Sequence, residues 1–156
     1  MPKTIEAGMI FEITKRQEIK EVQELGESYY EFTNSCGDIE NYKKNFTSSW
    51  ENLIKRKIGK IFVIEKNEKI IGGLGFLITP DTEDSTPICI GRFWWISESN
   101  RGEGLSLYRK VESYAKSVGC KKIIMGHLSF SNADKFKKVY TRIGFKENET
   151  TYIKHL

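Results

Sequence analysis

The sequence predicts an α/β (α+β) domain, a layered fold in which helices flank a central sheet. Short runs of strand-forming residues alternate along the chain with segments whose apolar residues recur every three or four positions, the period of a helix face. The predicted order is strand, two helices, three strands, helix, strand, helix and strand. The length of 156 residues fits one domain, 1–156, that can bury its own core.

The first part of the chain is predicted to contain one strand and two helices. Residues 9–13 are short and rich in strand formers. The first helix then presents an apolar face formed by Ile19, Val22, Leu25 and Tyr29. A turn is expected at residues 35–38, around Gly37. The second helix runs from about residue 41 to 57, with an apolar stripe at Phe46, Trp50, Leu53 and Ile54.

The middle of the chain is predicted to form three strands. Residues 60–66 and 69–78 are apolar runs on either side of the turn signal Asn67-Glu68, which predicts a hairpin. The polar residues 81–87 are expected to form a surface loop, and residues 87–97 the third strand. The remaining predicted elements are a helix from near Gly104 to Gly119, a strand at 121–125, a helix between Ser131-Asn132 and Gly144, and terminal strands at Phe145 and 151–153.

Composition excludes several classes of protein. The net charge of +4, from 25 basic and 21 acidic residues, is too small an excess to predict a nucleic-acid partner. No apolar run approaches the ~20 residues that span a bilayer, and the N-terminus lacks the apolar stretch of a signal peptide, so a cytoplasmic protein is expected. The wide spacing of Cys36, Cys89 and Cys120 argues against a disulfide framework or a metal site.

The segment most informative about chemistry is a strand that runs into a glycine-bearing turn and then into a helix. The turn consists of Arg101, Gly102, Glu103, Gly104, Leu105 and Ser106. Free N–H groups and the positive end of the helix dipole suit a pyrophosphate there. Both glycines are expected to let the backbone approach the phosphates and adopt unusual dihedral angles. Arg101 adds positive charge. The carboxylate of Glu103 is unexpected in a phosphate site, and an orientation compatible with a ligand has its side chain pointing to solvent and its N–H pointing inward.

Other phosphate-binding loops fit this turn less well. It lacks the Gly-Lys-Ser/Thr of a nucleoside-triphosphate loop, and its glycines are not spaced as Gly-x-Gly-x-x-Gly. On spacing alone, a plain strand-to-helix turn without a ligand stays an equal alternative.

The same turn resembles the Arg/Gln-x-x-Gly-x-Gly/Ala signature of the GNAT superfamily of acyl-CoA N-acyltransferases, with Ser106 at the last small position. A second stretch is similar to the Asn-x-x-Ala and Tyr-x-x-x-Gly-Phe ending of that family, in the residues Asn132-Ala133 and Tyr140-Thr141-Arg142-Ile143-Gly144-Phe145. The likeness covers residues 60–147 well and the earlier helices by element order.

The resemblance implies a mixed, splayed central sheet and an N-acetyltransferase that moves an acetyl group from acetyl-CoA to a primary amine by direct attack. Acetyl-CoA would insert where the strand ending at residue 97 parts from strand 121–125. Backbone groups of Trp94 and Ile96 would pair with the pantetheine arm, and Asn132 would hydrogen-bond it too. A backbone N–H near Ile96 would stabilise the developing oxyanion.

Two residues are the candidates for proton handling. In the family pattern, Tyr140 stabilises the leaving thiolate. Because a phenol has a pKa of about 10 and a thiol about 8.5, Tyr140 is expected to hydrogen-bond the thiolate rather than transfer its proton fully. His127 is the candidate general base, since histidine titrates near pH 6.5. For each, a purely structural side chain is the alternative. Other bases are available in loops: Glu83, Asp84 and Glu98.

The acceptor is expected to be an amine on a small molecule or a protein, with no membrane partner. Its pocket would lie over the first two helices and loop 81–87, together with either Trp94 or Trp95, because adjacent residues face opposite sides of a strand. Two other functions stay open. One is a non-catalytic, cofactor-sensing or protein-binding module on the same fold, and the other is a nucleic-acid-binding domain.

Overall fold

The computed structural model describes residues 8–33, 39–127 and 133–156, with the backbone alone at 29–33. The chain divides into two compact units, residues 1–125 and 126–156. The predicted turn at 35–38 and the predicted helix cap at Ser131-Asn132 lie outside the described residues.

The first unit follows the predicted order of elements. Its elements are β1 (Met9–Ile13), α1 (Arg16–Thr33), α2 (Ile39–Lys55), β2 (Gly59–Lys66), β3 (Lys69–Pro80), β4 (Pro87–Ile96), a 3-10 turn (Glu98–Glu103), α3 (Gly104–Ser117) and β5 (Ile123–Ile124). The 3-10 turn is the one element here without a counterpart in the prediction.

The five strands form one mixed sheet in the order β1-β2-β3-β4-β5. The pairs β1–β2, β2–β3 and β3–β4 are antiparallel, and β5 runs parallel to β4. The predicted hairpin joins β2 to β3: Asn67 and Glu68 both have positive φ, 52° and 61°, the pattern of a type I′ turn.

Helices cover both faces of this sheet, and the alternation of side chains along each strand decides which helix they meet. On one face, buried residues of the sheet pack with α1 and α2, in a core of Ile13, Ile19, Val22, Tyr42, Trp50, Ile61, Val63, Ile70 and Trp95. On the other face, Tyr114 of α3 packs edge-on against Phe62, with ring centroids 5.6 Å apart. The confirmed fold class is thus a mixed α/β sheet flanked by helices.

The sheet splays between β4 and β5. These strands are paired at two positions, Cys89 with Ile123 and Ile90 with Ile124. Immediately beyond, the register with β3 shifts, since Gly91 opposes Phe76 and Phe93 opposes Gly75, which leaves Arg92 as a bulge. A bulge bends its strand and increases the local twist. The second half of β4 therefore leaves β5, as the family resemblance implies.

The second unit contains α4 (Ala133–Arg142), which ends in a glycine cap. Gly144 has a φ of +99°, and the N–H of Phe145 donates to the carbonyl of Tyr140 at 2.9 Å while Gly144 N–H donates to Thr141 at 3.1 Å. This is the Schellman pattern, and the rings of Tyr140 and Phe145 pack 5.2 Å apart beside it. The Tyr-x-x-x-Gly-Phe signature is thereby explained in part as helix-cap chemistry.

The predicted terminal strands are wrong. Residues 145–156 form neither helix nor strand. Tyr152 and Ile153 are 91% and 65% exposed, and neither residue has strand hydrogen bonding. Strand-forming residues form a strand only where the backbone of a neighbouring segment pairs with them.

Candidate functional site

The turn that follows β4 is built by its own hydrogen bonds. Asn100 interrupts the 3-10 turn with φ −123° and ψ 18°, and its N–H donates to the carbonyl of Ser97 at 2.9 Å. Its side-chain amide also donates to Ser97 Oγ at 2.8 Å. The N–H of Gly104 donates to the carbonyl of Arg101, so the turn leads directly into α3. The N-terminus of α3 consequently opens at the end of β4, where β4 has left β5.

The two glycines of the turn have different environments. Gly102 is exposed, and apart from its chain neighbours no atom lies within 4 Å of the position a Cβ would take. Gly104 is buried, and a Cβ there would lie 3.2 Å from Cγ1 of Ile96. Neither has a positive φ, so the expectation of unusual dihedral angles is wrong. Gly104 allows α3 to start close against β4, and Gly102 leaves the backbone accessible from outside.

Three further residues of the turn, Arg101, Leu105 and Ser106, differ in charge and exposure. Arg101 is exposed and forms no salt bridge with a described residue. Ser106 is exposed and Leu105 is half-buried. The α3 helix behind them is anchored by Leu107, Tyr108 and Val111, all at most 2% exposed. The positive N-terminus of α3 and the side chain of Arg101 therefore lie on a helix that is packed firmly into the core.

The carboxylate of Glu103 does not point to solvent, so that expectation is wrong. Its Oε1 accepts a hydrogen bond from Lys66 Nζ at 3.3 Å, and its side chain is 27% exposed. Lys66 ends β2, and it turns the carboxylate toward the sheet. No feature of the sequence singles out Lys66, although an acidic residue in a turn predicted to bind phosphate would need a compensating cation.

Adjacent residues of β4 face opposite sides of the sheet, as predicted. The indole ring of Trp94 lies 5.8 Å from the ring of Tyr108 on α3. The side chain of Ile96 lies beside the start of the same helix, 3.2 Å from the position that a Cβ of Gly104 would take. Trp95 is 7% exposed and packs 5.5 Å from Phe46 of α2. Trp94 and Ile96 therefore accompany the turn, while Trp95 belongs to the core on the other face.

In the second unit, His127 and Tyr140 lie in one aromatic cluster. The ring of His127 stacks on Phe136 at 5.8 Å and lies 6.2 Å from the ring of Tyr140. The hydroxyl of Tyr140 donates to the carbonyl of Gly126 at 2.9 Å. The two candidate proton-handling residues thus share a cluster, while Asn132 lies outside the described residues.

Several other groups are poorly suited to catalysis. Asp84 forms an ion pair with Lys121 at 2.7 Å, and this hydrogen bond, more than any other contact, lowers its pKa and makes it a weaker base. Burial raises the pKa of Cys89 to about 12 and also raises that of Cys120. Among the described residues, no group of His, Cys, Asp and Glu is arranged to hold a metal ion.

Comparison with known proteins identifies the fold family. The model of the acetyltransferase (GNAT) family matches residues 20–145. The chain belongs to the GNAT acetyltransferase family. Among the described residues, no helix is long and apolar enough to cross a membrane. No curated protein matches the sequence significantly.

Solved structures of the family align over nearly the whole chain. A proposed acetyl transferase from Pyrococcus furiosus is 25% identical with a TM-score of 0.75, and the alignment covers 96% of this chain and 100% of that one. Ribosomal-protein-alanine N-acetyltransferase from Brucella melitensis biovar Abortus 2308 is 15% identical, with a TM-score of 0.74 and coverage of 97% and 100%. An aminoglycoside acetyltransferase from an uncultured soil metagenomic sample is 15% identical, with a TM-score of 0.77 and coverage of 97% and 99%.

Proposed function

We propose that this GNAT protein is an acyl-CoA-dependent N-acetyltransferase that transfers an acetyl group from acetyl-CoA to a primary amine. The observation that carries the proposal is the exposed backbone of Gly102, before the N-terminus of α3 and next to the end of β4. The family match spans both compact units, which supports a single acetyltransferase domain, 1–156.

The described residues fit acetyl-CoA at this turn. Arg101 and the open side of Gly102 suit a pyrophosphate, because a helix N-terminus favours negative charge. Glu103, Gly104, Leu105 and Ser106 complete the turn, and Glu103 is compensated by Lys66. Where β4 leaves β5, backbone groups of Trp94 and Ile96 would hold the pantetheine arm. The family resemblance assigns a further hydrogen bond to this arm to Asn132, which lies outside the described residues.

Acetyl-CoA supplies an activated acetyl thioester when bound. The amine must lose a proton before it attacks, since an alkylammonium has a pKa of roughly 10.4, and His127 is proposed to accept that proton. The N–H near Ile96 would donate to the developing oxyanion. The hydroxyl of Tyr140 would donate to the departing thiolate after exchanging its bond to Gly126.

Direct attack is supported by the state of the two described cysteines. An acyl-cysteine route needs an accessible thiolate. Cys89 is fully buried, and burial raises its pKa to about 12. Burial also raises the pKa of Cys120. Both are free thiols, which agrees with the proposed cytoplasmic location.

The acceptor is proposed to be an amine on a small molecule or a protein. Two of the structurally similar proteins are named for acceptors of these two kinds, an aminoglycoside and a ribosomal-protein alanine. The likeness to them is at the level of the fold, so both kinds belong in the same screen.

The test is a turnover assay with purified protein, acetyl-CoA and a panel of small amines and peptides. We expect amine-dependent release of free CoA thiol together with acetylation of one acceptor, detected by mass spectrometry. Binding of acetyl-CoA without turnover on any acceptor would favour the cofactor-sensing or protein-binding module. Salt-dependent retention of DNA or RNA, with no acetyl-CoA binding, would favour a nucleic-acid-binding domain.

A further inference from the structure

The acidic residue inside the proposed cofactor turn has its own counter-ion. Glu103 immediately precedes α3 and follows Gly102, whose backbone is open to a ligand. A carboxylate in this place repels a pyrophosphate unless another charge compensates it. The nearest described cation is Lys66, whose Nζ lies 3.3 Å from Glu103 Oε1.

The pair is more sheltered than an ordinary surface salt bridge. The side chains of Lys66 and Glu103 are 21% and 27% exposed. Glu103 Oε2 is buried, and no described group hydrogen-bonds it. Half of the carboxylate is thus out of contact with water, where its charge is screened less and compensation matters more.

The carboxylate of Glu103 lies beside the residue that precedes β1. Gly8 precedes β1, and a Cβ at this residue would lie 3.6 Å from Glu103 Oε1. Lys66 reaches the same place from the end of β2, just before the Asn67-Glu68 turn. Glu103 is therefore directed toward the ends of β1 and β2.

We propose that Lys66 is a positioning residue for the acetyl-CoA turn, which neutralises the charge of Glu103 and directs its carboxylate away from the phosphates. The proposal rests on the proposed function, because it concerns the same cofactor site. Lys66 acts through Glu103, so its importance depends on the presence of that carboxylate. This dependence separates it from a lysine that binds phosphate directly and from a mechanical tether.

The experiment is a calorimetric titration of acetyl-CoA into five variants and the wild type. The variants are Lys66→Met, Lys66→Arg, Glu103→Gln, the Lys66→Met/Glu103→Gln double variant and Lys69→Met. Lys69 is the matched control, because it opposes Lys66 across the hairpin but is exposed and forms no salt bridge with a described residue. Thermal unfolding of each variant verifies that it is folded.

We expect Lys66→Met to weaken binding about tenfold at low salt, and the difference to shrink at high salt. Lys66→Arg and Lys69→Met should bind within about twofold of the wild type, since Arg keeps the charge and Lys69 does not contact Glu103. Glu103→Gln should bind at least as well as the wild type. The decisive result is rescue: the double variant should recover the affinity of Glu103→Gln.

Three results would overturn the proposal. Unchanged binding by a folded Lys66→Met variant removes Lys66 from the site. A double variant as weak as Lys66→Met means that Lys66 meets the phosphates itself. Equal weakening by Glu103→Gln and Lys66→Met means that the pair is a mechanical tether. Absence of binding by the folded wild type is a different failure, that of the proposed function.

Discussion

Gly26, in the middle of α1, lies directly against the indole ring of Trp95 on β4. A Cβ at this glycine would overlap two ring carbons of Trp95 and the hydroxyl oxygen of Tyr42. Tyr42 in turn donates to the carbonyl of Gln23 at 2.8 Å, which ties α2 to α1 at this level. A glycine inside a helix destabilises it by roughly 0.5–1 kcal/mol relative to alanine. The glycine is therefore explained by the close approach of α1 to the aromatic core of the sheet.

Gly26→Ala is predicted to destabilise the fold, although the same change stabilises most helices. Overpacking of a core costs about 1–3 kcal/mol in the free energy of unfolding. Urea denaturation measures this change, with Ser28→Ala, an exposed position of α1, as the control. In a Trp95→Phe background the smaller ring should reduce the penalty. A Gly26→Ala protein that is more stable than the wild type would show that the indole does not occupy this site.

Replacement of Gly102 is predicted to separate ligand binding from folding. Gly102→Val finds free space in the protein, so the thermal midpoint should stay close to that of the wild type while acetyl-CoA affinity falls at least about tenfold. Gly104→Val should lower both the thermal midpoint and the acetyl-CoA affinity, because the new valine side chain would crowd Ile96 of β4. Calorimetry and thermal unfolding of the two variants make the comparison. Wild-type affinity in folded Gly102→Val would remove the turn from the cofactor site.

The fold class was predictable because helix and strand periodicities are local properties of the sequence. The same holds for Gly144, whose position after an apolar helix face predicts the cap that is found. The ion pair of Lys66 with Glu103 joins residues 37 positions apart, and no local pattern encodes it. The terminal strand predicted at 151–153 fails for a related reason, since a strand depends on a partner that composition does not specify.

Tyr140→Phe is predicted to lower turnover while acetyl-CoA affinity stays within about twofold of the wild type. The change removes the proposed donor to the thiolate, and it also removes the hydrogen bond to Gly126, which contributes roughly 0.5–1.5 kcal/mol to stability. Steady-state kinetics at saturating acetyl-CoA and a thermal unfolding curve separate the two effects. Tyr152→Phe is the control, since this tyrosine is 91% exposed. Equal turnover in Tyr140→Phe and wild type would assign Tyr140 a structural role.

The loop between β3 and β4 is predicted to make stability depend on acid pH. Asp81 is buried and pairs with Lys121 at 2.8 Å and Lys122 at 3.2 Å. The ion pair with Lys121, followed by the hydrogen bond that Asp81 Oδ1 accepts from the backbone N–H of Glu83, holds the pKa of Asp81 well below its usual range. A carboxyl whose pKa is lowered by folding stabilises the native state above its unfolded pKa of about 3.9, and this contribution is lost as pH falls.

Asp81→Asn should therefore lower stability at neutral pH and flatten the loss of stability below about pH 5. Urea denaturation at a series of pH values measures both effects. Asp84→Asn should have a smaller effect, because the Asp84 side chain is 50% exposed and that of Asp81 is 8% exposed. Parallel pH profiles for Asp81→Asn and the wild type would contradict the role given to this loop.

The central claim is that the turn after β4 binds acetyl-CoA, and a calorimetric titration of the wild-type protein with acetyl-CoA tests it most directly. Desulfo-CoA serves as the comparison ligand, because it keeps the pyrophosphate and lacks the thioester. Saturable one-to-one binding of acetyl-CoA that is lost in folded Gly102→Val is the predicted result. No heat of binding from a folded wild-type protein would contradict the claim and leave the turn as a connection between β4 and α3.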